Sequence, residues 1–134
     1  MSVTFSPFFG SANQCSATHS FNVCNANARS MLAALGLPCD GTLDFDFKPN
    51  PRYCELARER IAYFEAEAAR RGPIGYGRSF SPWTGGTERY ESAEHDISPG
   101  IGALDYGKLL TLMQYVLDHE GTHMQGTYEG IRLT

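Results

Sequence analysis

Apolar and polar positions along the chain follow two different periods. Residues Ala17-Thr18-His19-Ser20-Phe21-Asn22-Val23 alternate, which places Ala17, His19, Phe21 and Val23 on one face and predicts a strand. Ala28, Met31, Leu32 and Leu35 then recur at helical spacing and predict a helix over 25–35. Asn25 or Asn27 is its expected cap, because a short side-chain carbonyl accepts from the free amides of a first turn. Gly36 supplies the left-handed residue that closes it, and Pro38 prevents continuation. Leu43-Asp44-Phe45-Asp46-Phe47 alternates again, over too short a run to separate a strand from an extended loop.

The clearest pattern spans 51–71. Asn50 stands at the cap and Pro51 at the first helical position, where a missing N–H has no consequence. Tyr53, Ala57, Ile61, Phe64 and Ala68 make the apolar stripe, and Gly72-Pro73 ends it. A third helix is predicted over 105–120. Asp105 is its cap, Leu109, Leu112, Met113, Val116 and Leu117 its apolar side, and its end falls at Gly121 or at Gly126. Residues 1–15 show no sustained period and read as an arm or loop held down by Phe5, Phe8 and Phe9. Residues 72–103 form a Gly-, Pro- and aromatic-rich excursion, with a short strand expected at Thr87-Glu88-Arg89-Tyr90-Glu91 and a last strand at 129–133. This order predicts an α+β fold in which two or three helices cover a small sheet.

Composition narrows the function classes. The 134 residues suit a single domain, 1–134, and 42% apolar content is enough for a core. A net charge of -4 argues against nonspecific nucleic-acid binding, which relies on a basic surface. No apolar run approaches the roughly 20 residues that span a bilayer, and the N-terminus lacks the pattern of a secretory signal. No nucleic-acid or membrane partner is therefore expected, and a cytoplasmic location is. Cys15, Cys24, Cys39 and Cys54 contain no Cys-x-x-Cys pair, and read as free, partly buried thiols.

One motif carries chemistry. His119-Glu120-Gly121-Thr122-His123 is His-Glu-x-x-His at the end of an apolar helical run. On a continuous helix the two imidazoles share a face and could bind one zinc, with Glu120 as the general base on its water. Together with the flanks Val116-Leu117-Asp118 and Met124 through Glu129, the segment resembles the zinc motif of zincin metalloproteases. The resemblance implies His119, His123 and Glu129 as ligands. The competing reading makes Asp118-His119-Glu120-Gly121 a helix C-terminus, with His119 at the negative end of the dipole and Gly121 as the closing residue. Glu94-His95-Asp96 reads as an exposed turn. Asp40, Asp44 and Asp46 lack calcium-loop spacing, and Gly72 through Arg78 matches no phosphate-binding loop.

Phe21-Asn22-Val23-Cys24-Asn25-Ala26-Asn27-Ala28, followed by Leu32, Leu35, Gly36 and Leu37, resembles the strand-to-helix start of certain small bacterial and phage α+β proteins. Tyr106 through Leu110 is similar to their C-terminal helix. That resemblance implies a setting and a fold but transfers no functional residues. With an acidic domain, a long aromatic excursion and no complete catalytic set, the leading expectation is a non-enzymatic accessory factor, a regulator or inhibitor that binds another protein. Trp83, Tyr76, Arg78 and Tyr90 are its expected anchors, because large aromatics and Arg dominate binding hot spots. No cofactor is expected on that reading. The alternative is a small zinc-dependent hydrolase.

Overall fold

A computed structural model describes residues 2–10, 14–37, 43–72, 97–122 and 126–134. The elements run β1 (Ser2–Phe9), β2 (Gln14–Cys15), β3 (Phe21–Cys24), α1 (Asn25–Ala34), β4 (Phe45–Phe47), α2 (Pro51–Arg71), α3 (Pro99–Asp118) and β5 (Tyr128–Leu133). The five strands form one antiparallel sheet, and with three helices the fold is α+β. No helix among the described residues is long and apolar enough to cross a membrane.

The sheet is built around β1, which corrects the reading of residues 1–15 as an arm or loop. Val3, Phe5 and Phe9 alternate into the core after all, and Pro7 disguises the run. Thr4 and Thr134 exchange both backbone hydrogen bonds, so even-numbered residues of β1 face β5. The imino nitrogen of Pro7 therefore points to the opposite edge. There β2 pairs at Phe8 and Phe9, β3 pairs at residues 2–5, and the stretch 16–20 interrupts the ladder between them. A proline is harmless at such a gap, and its carbonyl accepts from Ser16 N–H at 2.8 Å.

β5 lies between β1 and β4. Gly130 is required there: a Cβ would come within 2.6 Å of the Phe8 ring and 2.7 Å of the Phe47 carbonyl. The expected final strand forms, one residue longer at its start.

α3 packs against β5 and β1, and α2 lies along α3 in the most extensive contact between any two elements. The side chain of Asn50 caps α2 by accepting from Tyr53 N–H at 3.0 Å, with Pro51 in the first turn. Ala57 and Phe64 are fully buried from its stripe. The ring of Phe64 stacks on Tyr106 at 5.7 Å.

Four expectations need correction. α1 is capped by neither asparagine: Cys24 is its N-cap and makes no side-chain cap, because β3 runs into the helix without a loop. Asn25 and Asn27 are already helical, and Asn27 Nδ2 donates to Asp105 Oδ2 on α3 at 3.4 Å. Asp105 is not a cap either. α3 begins six residues earlier at Pro99, so residues 99–103 belong to a helix and not to the excursion, and Asp105 sits on its buried face. Gly102 is what permits this start against α2, since a Cβ would lie 2.6 Å from the Phe64 ring. The strand expected from 17 to 23 covers only Phe21–Cys24; Ala17 and His19 are exposed, and His19 turns the chain with φ of 63°. Of the thiols, Cys54 is buried while Cys15 and Cys24 are exposed. Cys39 and the strand expected at Thr87 through Glu91 lie outside the described residues.

Candidate functional site

The His-Glu-x-x-His segment begins where α3 ends. Asp118 is the last helical residue, His119 is the C-cap, and Gly121 adopts φ of 79°. Thr122 N–H and its hydroxyl both donate back to the carbonyl of His119. The backbone thus turns at Gly121, as a C-terminal glycine does, and α3 does not continue through residues 119–122. His123 itself lies outside the described residues. Glu120 is exposed and pairs with Lys48 at 3.2 Å. Glu129 stands on β5, where its carboxylate lies against Gly10. The Nδ1 of His119 lies 2.9 Å from the carbonyl of Tyr115; a carbonyl only accepts, so this nitrogen carries the proton. Among the described residues no group of three His, Cys, Asp or Glu side chains is arranged to hold a metal.

A polar cleft of about 290 Å³ between α2 and α3 is lined by Cys54, Arg58 and Asp118 among others. Burial pushes the Cys54 thiol up, with Arg58 opposing and Asp118 adding to the rise. A thiol nucleophile needs the opposite environment.

An open groove of about 800 Å³ lies between the outer edge of β3 and the flank of α3. Residues 19–22 form its sheet side; Ala103, Leu104, Gly107, Lys108 and Thr111 form its helix side. Those helix positions recur at three- and four-residue spacing, so they make one stripe about 12 Å long. Leu104 is 56% exposed, and Ile101, one turn earlier, is 50% exposed. They are the large hydrophobic side chains left exposed among the described residues.

The backbone on the strand side is also open. Val3 with Val23 and Phe5 with Phe21 face each other in the β1–β3 ladder. Because odd positions of β1 point toward β3, the peptide groups of Asn22 point away from the sheet. Its side chain is occupied, since Thr4 Oγ1 donates to Asn22 Oδ1 across the ladder. No strand pairs with β3 on that outer edge among the described residues.

An aromatic chain fixes one end of the groove. His19 stacks on Tyr115 at 4.2 Å and 29°, and His119 stacks on the same ring at 4.2 Å and 28°. Two near-parallel rings at that distance fit only on opposite faces, so Tyr115 is sandwiched. Its hydroxyl donates to Tyr128 at 3.2 Å, and Tyr128 meets Phe9 at 4.6 Å. The hydrogen bond to Tyr128, aided by desolvation, pushes the Tyr115 phenol up to about 12. The turn carrying His19 is thereby tied to α3 and the sheet, which holds the groove's two walls in register.

Behind the helix wall, burial raises the Asp105 carboxyl, while the hydrogen bond from Asn27 and the charge of Lys108 pull it down. The anchors expected from sequence, Trp83, Tyr76, Arg78 and Tyr90, lie outside the described residues. The groove residues carried no such signal: Leu104 falls between the excursion at 72–103 and the helix predicted from 105, and His19 in a stretch that reads as strand. Comparison with protein-family models, with curated proteins and with solved structures finds no match.

Proposed function

We propose that this chain is a non-enzymatic accessory factor, a bacterial or phage regulator or inhibitor acting in the cytoplasm, that binds another protein through the groove between β3 and α3. One observation carries the reading: Leu104 stands half-exposed in the groove beside a strand edge that is open among the described residues, with Ile101 half-exposed one helical turn earlier. Contiguous exposed aliphatics rimmed by polar groups mark interaction surfaces. Leu104 and Ile101 are each already about half buried, so covering the rest of either is worth about 1 kcal/mol before the cost of association. The net charge of -4 favours a protein over nucleic acid as partner. On the sequence grounds given above, Tyr76, Arg78, Trp83 and Tyr90 belong to the same proposal as further contacts.

The test is a substitution at an exposed position. Leu104→Asp is expected to melt close to wild type and to lose one specific protein that the wild type retains in stoichiometric amount from bacterial lysate. A partner retained equally by both would overturn the groove as the binding surface.

A further inference from the structure

The groove offers two kinds of recognition at once, and their combination selects an occupant. On one wall, the Asn22 N–H and C=O face outward with no backbone partner among the described residues. Such an edge accepts an added strand, which nucleic acid and lipid cannot supply. On the other wall, Leu104 is followed four residues later by Lys108, which makes no ion pair among the described residues. Among the described residues, Lys108 and His19 are the ionisable groups lining the groove, and neither can carry negative charge; the Asp105 carboxyl, on which Lys108 acts, lies behind the helix wall. In a chain of net charge -4, this surface opposes the overall sign.

Geometry relates the two walls. Four residues of helix rise about 6 Å, and two residues of strand advance about 6.6 Å. Side chains two apart on an added strand point to the same face and so match the Leu104–Lys108 spacing. A second copy of this chain fits poorly, because a two-fold axis on this edge would bring two Lys108 side chains and two acidic domains together.

Resting on the binding reading above, we infer that the occupant is an extended, carboxylate-bearing segment of a different protein. It adds as a strand to β3, with an apolar side chain over Leu104 and an Asp or Glu two positions away on Lys108. The backbone at Asn22 supplies the pairing and Lys108 the selection for charge.

A capped heptapeptide of sequence Thr-Val-Thr-Glu-Thr-Val-Thr is the probe, titrated into ¹⁵N-labelled protein. Its Glu-to-Lys counterpart and a version N-methylated on alternate residues are the controls. The expected result is a shift of the amides of Asn22, Leu104 and Lys108 by the Glu peptide. The Lys and N-methylated peptides should bind at least about tenfold more weakly, and Lys108→Glu should reverse the charge preference. Equal binding of the Glu and Lys peptides, or shifts confined to another surface, would overturn the inference. So would a concentration-dependent dimer abolished by Leu104→Asp, since the occupant would then be a second copy. If no peptide binds while Leu104→Asp still loses the lysate partner, strand addition fails and the binding reading stands.

Discussion

Asp105 shows how a single residue changes meaning between sequence and structure. An Asp before an apolar helical run is a good cap by local chemistry, yet here it lies inside α3, buried, accepting from Asn27. Its carboxyl is raised above the ordinary value of 3.8, chiefly by burial. A raised carboxyl favours folding below its unfolded pKa, and that contribution is lost as pH climbs through the folded value. At pH 7 the ionised group opposes folding. Asp105→Asn keeps the size and the acceptor for Asn27, so it is expected to unfold at a higher temperature than wild type at pH 7. The advantage should vanish as pH falls toward 3.8. Thermal unfolding at both pH values checks this, and a less stable variant at pH 7 would show the carboxylate to be favourably paired.

At the scale of elements, the legible parts are those fixed by local chemistry. The Asn50 cap, Pro51 and the stripe of α2 all act within a few residues of sequence, and they form as read. The closing glycines at 36, 72 and 121 likewise adopt the positive φ that their positions suggested. What was hidden depends on partners distant in sequence. β1 tolerates Pro7 only because the opposite ladder is broken at 16–20. α3 starts among Pro99, Gly100 and Gly102, a composition that reads as loop, because Gly102 lets it cross the Phe64 ring of α2. Packing overrides propensity there. Gly102→Ala improves intrinsic helix propensity, yet it should destabilise by about 1–3 kcal/mol through overpacking. Urea unfolding checks the sign; a stabilised variant would mean that the α2–α3 crossing has room to spare.

Across the whole molecule, the candidate site arises where elements far apart in sequence meet. Residues 19–22 belong to the returning arm of the first hairpin, and Leu104 and Lys108 to a helix near the other end of the chain. Neither carries a motif; the residues with visible chemistry in the sequence are instead the expected anchors Tyr76, Arg78, Trp83 and Tyr90 and, on the alternative reading, His119, Glu120 and His123. His119 and Glu120 stand at and just beyond the helix end, with Glu120 on Lys48. The groove combines the exposed Leu104, a strand edge open among the described residues, and Lys108; that combination is the basis for proposing it as a docking surface. The His19 turn at one end of it stacks on Tyr115 of α3, whose ring also stacks with His119.

The most direct test of that assignment is site-specific photo-cross-linking in cells. A photoreactive residue is placed at position 104, and in a second protein at position 59 on an exposed face of α2. The expected result is a discrete adduct with one other protein from position 104 and none from position 59. Equal adducts from both positions, or an adduct between two copies of this chain at position 104, would contradict the groove as the site where a different protein docks.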